Sequence, residues 1–205
     1  MNDKEILCEI DRCISMEADA LQKLTELPND DGVLQTVHAI KECKGKIVLS
    51  GCGTSAMAAR KIAQSLNCVD RPALFLVPSD AVHGGLGVLA QEDLLILISK
   101  GGNTQELVQL IPACRKRGAV LISVSENLES ILAREADIYL QIKVEREPCR
   151  FNMLATASTL AVISTFDAIC IAMMQLRGYT REQFAVIHPG GAVGDRLLGK
   201  AGDVK

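Results

Sequence analysis

Residues 46–66 read KIVLSGCGTSAMAARKIAQSL: an apolar strand, a glycine turn and the opening of a helix. Such a turn aims unpaired backbone N–H groups and the positive end of the helix dipole at an anion. Two anions fit. Gly51-x-Gly53-x-x-Ala56 matches a dinucleotide fingerprint, while Gly51-x-Gly53 followed by Thr54 and Ser55 equally matches a cradle for one sugar phosphate. The dinucleotide needs an acid at the end of the second strand to hold its ribose. Its one candidate, Asp80, follows Pro78 and Ser79 beyond the strand. A second glycine turn, SKGGNTQE at 99–106, has no place in that reading but would form another wall around a phosphate. Ser50 and Ser55 on the first turn, and Ser99, Asn103 and Thr104 on the second, can donate to phosphate oxygens; Gly53 and Gly102 permit close approach. Thr156, Ser158 and Thr159 open a third helix. Three hydroxyl-rich helix starts favour a compact dianion such as a phosphomonoester. Simple helix capping is the plainer alternative for each residue, but two glycine turns on neighbouring strands exceed what capping requires.

Proton-transfer groups fall near the same turns: Glu106 just inside the helix after the second turn, Glu147 in VEREPCRF, His83 in DAVHGGLG and His188 in IHPGGAVG. Aldose–ketose isomerisation needs a group to open the sugar ring, a base to carry a proton between C1 and C2, and an acid to shuttle one between the oxygens. Carboxylates and imidazoles suit these tasks at neutral pH. Each also has a structural reading. Glu106 can complement a helix dipole, Glu147 can be a solvated loop charge, His83 can cap a turn, and His188 can pack the tail. His38 is read as filler, and Cys52, with no His or Lys neighbour, as a small apolar residue. No group of residues has metal-ligand spacing, so no metal is expected.

These residues must be positioned by regular elements. Apolar runs at 46–50, 73–77, 94–98, 120–124 and 138–142 read as strands. Helical patterns fill 55–66, 79–84, 104–117 and 128–135. Continuous apolar strands alternating with helices predict an α/β three-layer sandwich around a five-stranded parallel sheet. Five strands suit the flavodoxin-like order 2-1-3-4-5, which brings the loops after strands one and three to one crevice. Residues 3–26 and 32–43 carry helical spacing ahead of this core. The expected organisation is one domain, 1–205, with a helical segment 1–43 packing on an α/β core at 44–200.

Composition narrows the function classes. Hydrophobic residues make up 48% and charged residues 23%, an ordinary globular mix, with net charge −3. No basic surface advertises nucleic acid. Eight cysteines without a Cys-x-x-Cys, and no secretory pattern at the start, point to free thiols in the cytoplasm. Residues 155–176 are long and apolar enough to mimic a membrane span, but Asp167 sits mid-segment. That helix is expected to be buried by its own domain and by a partner subunit.

Taken together, GCGTSAMAARKIA, HGGLGVL, DLLILISKGGNTQELVQLIP, VEREPC and FAVIHPGGAVGDRLL resemble the sugar isomerase (SIS) domain family, and within it the arabinose-5-phosphate isomerases. The similarity runs over about residues 40–200. It implies cofactor-free interconversion of D-arabinose 5-phosphate and D-ribulose 5-phosphate in a homotetramer with active sites at subunit interfaces. It assigns Glu106, Glu147, His83 and His188 to the family's functional carboxylates and histidines, and Ser55, Ser99 and Thr104 to its sugar-phosphate contacts. The chain departs from the family pattern at Thr54 (usually Lys), Gly101 (Ser), Asn103 (Glu) and Gly85 (Asp). Lys100 is a candidate replacement for the absent loop cation. The paired CBS regulatory module that often follows the domain is expected to be absent. A non-catalytic sugar-phosphate sensor is the alternative to an isomerase.

Overall fold

A computed structural model describes residues 1–27, 30–191 and 194–195. Five strands, β1 (Ile47–Gly51), β2 (Ala73–Phe75), β3 (Leu94–Ile98), β4 (Val120–Ser125) and β5 (Ile138–Gln141), form one parallel sheet in the order β2-β1-β3-β4-β5. Around it lie α1 (Asp3–Lys23), α2 (Asp30–Glu42), α3 (Thr54–Cys68), α4 (Pro78–Ala81), α5 (Gln105–Val108), α6 (Ile111–Arg117), α7 (Ile131–Glu135), α8 (Ala157–Leu176) and α9 (Arg181–Ile187).

Side chains alternate across the pleat and so divide the core in two. Ile47, Leu49, Ile96, Ile98, Ile122 and Val124 pack beneath α1, α2, α3 and α8. Val48, Leu95, Leu97 and Leu121 pack beneath α4 to α7. Because both faces are covered, β1 and β3 are buried along their whole length, which is why they read as unbroken apolar runs. Ile47 pairs with Ala73 on one side and Leu94 on the other, so β1 is central and its loop abuts that of β3.

One expected helix is two. The periodicity over 104–117 is interrupted after Val108, and α6 restarts with Pro112 in its first turn. Proline has no N–H to offer the carbonyl four residues back, Val108, so a continuous helix would lose that bond and crowd the ring. The expected 79–84 helix is only Pro78–Ala81, and β2 ends two residues earlier than its apolar run suggests.

Among the described residues α8 alone is long and apolar enough to cross a membrane. It is instead a layer of this sandwich: Ala161, Phe166, Ile169 and Met173 are buried in the core, and α8 lies against α3 and α1. Asp167, the charge in its middle, forms an ion pair with Lys61 of α3. Ala192, Val193 and the end of the tail motif from Arg196 lie outside the described residues.

Candidate active site

The first turn leaves β1 at Gly51 and enters α3 at Thr54. Gly53 between them has φ +58° and ψ −130°, a conformation that side chains disfavour, and a Cβ built there would meet open space. Glycine is therefore required by the backbone and leaves the helix start uncovered. No side chain caps α3, whereas α1, α7 and α9 are capped by Asn2, Ser130 and Thr180. The orphan N–H groups of a 15-residue helix thus face the crevice unserved by a side chain. Ser50 does not join them. It is fully buried and donates to the Leu76 carbonyl at 2.8 Å, tying β1 to the chain beyond β2.

The second turn is built largely from its own polar groups. Ser99 Oγ accepts from the Gly102 N–H at 3.1 Å and shares a 2.8 Å hydrogen bond with Thr104 Oγ1. Gly102 has φ +69°, and a Cβ there would lie 2.2 Å from Ser130 Oγ, so this glycine also serves packing. Asn103 Oδ1 accepts from the Ile131 N–H at 2.9 Å, joining the turn to α7. The hydroxyls and amide read from sequence as phosphate donors thus first hold the turn in shape.

Lys100, in the same turn, reaches across to Glu147. Its Nζ lies 2.6 Å from Glu147 Oε1, with Lys100 35% exposed and Glu147 0% exposed. Glu147 is saturated with donors: the Ser158 hydroxyl also meets Oε1, and the Thr156 N–H (3.0 Å) and Ser158 N–H (3.4 Å) meet Oε2. Burial pushes the Glu147 carboxyl up, but Lys100, the Ser158 hydroxyl and the Thr156 N–H together hold it below its ordinary 4.5. An internal carboxylate therefore occupies the N-terminus of α8. This corrects the expectation that α8 offers a third set of donors to an outside anion, and equally the reading of Glu147 as a solvated loop charge. Thr54, Ser55, Lys100, Ser125, Ser158 and Thr159 line a cavity of about 80 Å³ between the β1 turn, the β3 turn and α8. The loop bearing Glu147 is held from outside by α1, whose Arg12 donates to the Pro148 carbonyl at 2.8 Å, while Lys23 pairs with Glu145 at 2.6 Å.

The SIS domain family pattern matches residues 39–172. The chain belongs to the SIS domain family. It is 38% identical over 193 residues to arabinose 5-phosphate isomerase KdsD of Pseudomonas aeruginosa, covering 94% of this chain and 59% of that protein. The chain thus spans about three fifths of that curated relative's length. A crystal structure of a Listeria monocytogenes protein superposes with a TM-score of 0.91 at 55% identity, covering 93% of this chain and 100% of the other. An Escherichia coli CFT073 protein solved in complex with arabinose 5-phosphate superposes at 0.88 with 31% identity, covering 92% and 100%.

Within this SIS fold the other expected site residues are spread out. Glu106 is exposed in the first turn of α5, close enough to the first loop that its charge adds to burial in holding the Cys52 thiol above its ordinary value. Cys52 is thus a protonated, near-apolar residue, as read from sequence. His83 is exposed on the loop after α4, at the carboxyl edge of the sheet. His188 is elsewhere. It stacks on Phe184 with ring centroids 3.9 Å apart and borders a hollow formed by Gln64, Asn67, Cys68, Asp70, Arg71 and Pro72. Those residues close the far end of α3, about 20 Å from its N-terminus at 1.5 Å per residue. One chain therefore does not bring His188 to the edge it was expected to share with Glu106 and Glu147. The feature missed in sequence is the Lys100–Glu147 pair: nothing in a one-dimensional pattern tells which way a lysine in a glycine turn points.

Proposed function

We propose that this chain is a sugar-phosphate aldose–ketose isomerase that interconverts D-arabinose 5-phosphate and D-ribulose 5-phosphate. One observation carries the reading: a buried carboxylate, held in its charged form, pairs with a lysine that lines a cavity beside an uncapped helix N-terminus. The name of the Pseudomonas relative and the sugar phosphate bound to the Escherichia coli protein support the choice of sugar.

In this proposal Gly53, Thr54 and Ser55 receive the phosphate at the start of α3, and the second turn, with Ser99, Gly102, Asn103 and Thr104, walls the sugar. A histidine assists ring opening by moving the anomeric hydroxyl proton. Glu147 takes the C2 proton of the open aldose; the C–H electron pair forms the C1=C2 bond and the carbonyl pair moves to O1, leaving an enediolate whose O2–H proton the histidine relays to O1. Glu147 then returns its proton to C1 as the charge on O2 collapses to make C2 the ketone carbon. The change is redox-neutral within the sugar, so no external hydride acceptor enters. Glu147 is preferred to Glu106 as shuttle because it is paired with Lys100 and Ser158, which line the cavity, while Glu106 faces solvent. His188 would reach the cavity from a second copy of the chain.

The test is a panel of pentose and hexose phosphates, assayed for ketose formation and, separately, for thermal stabilisation. Turnover of arabinose 5-phosphate that falls by at least about 1,000-fold in Glu147→Gln with little change in KM supports the proposal. Ligand-induced stabilisation without turnover of any sugar would establish a sensor instead.

A further inference from the structure

The first turn brings only hydroxyls to the cavity, from Thr54 and Ser55. The cation comes from the other side. Lys100 enters from the second turn and lines the same cavity, with its ammonium on Glu147. Its position is unusual for a structural ion pair. Glu147 is completely buried, whereas Lys100 keeps about a third of its side chain exposed, so only the cation is free to swing without unpacking the core. Glu147 would still hold three donors if Lys100 left: the Ser158 hydroxyl and the Thr156 and Ser158 N–H groups.

That asymmetry has a chemical consequence. A carboxylate with four donors is a weak base, because each donor stabilises its charged form. A negatively charged sugar oxygen in the cavity would compete with Glu147 for Lys100. As Lys100 turned to the substrate, Glu147 would lose its one cationic partner and become more basic, at the moment a proton must leave C2. The same movement would put the ammonium against the charge developing on O1, where a preorganised cation in a small, water-poor cavity counts most.

Resting on the isomerase reading above, we propose that Lys100 is a catalytic residue that holds Glu147 in the free protein and transfers its charge to the enediolate oxygens of the sugar phosphate. The neighbouring groups on the Glu147 loop are engaged elsewhere: Arg12 of α1 reaches the Pro148 carbonyl, and Cys149 accepts from the Met153 and Leu154 N–H groups.

Two uncharged replacements and one relocation test this. Lys100→Gln can still donate to Glu147 and should fold; Lys100→Met removes the donor altogether. Both should lower kcat for the pentose phosphate by about 100-fold or more, with KM changed less than about threefold. Position 54 lines the same cavity, so Thr54→Lys added to Lys100→Gln should restore at least about tenfold of the loss, which a merely structural lysine would not permit. A Lys100→Gln enzyme that folds and turns over within about threefold of wild type overturns the inference, as does a double variant no better than the single. Carbon-13 titration of glutamate-labelled protein supplies a readout without turnover. The Glu147 midpoint should rise in Lys100→Gln, and in wild type on adding a 5-phospho-pentonate, whose C1 carboxylate mimics the enediolate. If the wild type isomerises no sugar, the isomerase reading fails by itself, while an unmoved Glu147 midpoint overturns the role of Lys100 specifically.

Discussion

At the scale of single residues the decisive fact is that Glu147 is buried and still ionised. Its folded pKa lies below the ordinary 4.5, so the unfolded chain binds its proton more readily. The sign follows by linkage: the stability from Glu147 is complete above pH 4.5 and drains away as pH falls through the depressed folded value. Asp93, which Lys46 holds low against the opposing effect of burial, contributes with the same sign. Urea unfolding of wild type should therefore show stability dropping steadily below about pH 5. Glu147→Gln should be less stable at pH 7 by about 1–3 kcal/mol, since Lys100 loses its partner but can turn to water. Its acid slope should shrink without vanishing, because Asp93 remains. An unaltered slope in that variant would mean that Glu147 is not ionised in the folded protein.

At the scale of elements, two glycine turns looked interchangeable in sequence and are not. Gly53 opens onto empty space, so a methyl group there strains only the backbone; Gly102 is pressed against Ser130. Gly102→Ala should cost about 3 kcal/mol or more, combining a positive φ with a clash, and adding Ser130→Gly should recover about half. Gly53→Ala should cost about 1–2 kcal/mol by the same urea measurement. Equal losses would contradict the packing described for the second turn. This contrast also marks what the sequence could convey. The sheet was legible because strands buried on both faces must be apolar throughout, and the crossover pattern then leaves few strand orders. The first turn was legible because only glycine tolerates its backbone. The second was half legible: Ser99, Asn103 and Thr104 are hydroxyl and amide side chains whether they hold a phosphate or one another. The Glu147 cap on α8 was not legible, since it lies nine residues before the helix nitrogen Thr156 that it serves and is brought there by an irregular loop. The break between α5 and α6 was written plainly in Pro112, and helical periodicity masked it.

At the scale of the whole molecule, one chain leaves two things unfinished. Ile6, Leu7, Ile10 and Ile14 form an exposed apolar stripe on α1, and Ile171 and Leu176 are exposed on α8. A row of large apolar side chains along one helix face is the kind of surface that a partner covers. His188, meanwhile, stands at the opposite end of α3 from the cavity it is proposed to serve. A homo-oligomer answers both, because symmetry can cover the stripe and deliver the histidine of one copy to the carboxylate of another. The consequence is measurable by complementation. Glu147→Gln and His188→Ala should each abolish isomerase turnover alone. Co-expressed and randomly mixed, they should regain about a quarter of the active sites, since a site drawing an intact Glu147 from one copy and an intact His188 from the other forms in one pairing of four. Light scattering on the same sample reports assembly directly. Mixed oligomers with no recovered turnover would place both groups in one chain's site, and a monomeric wild type would exclude sharing altogether.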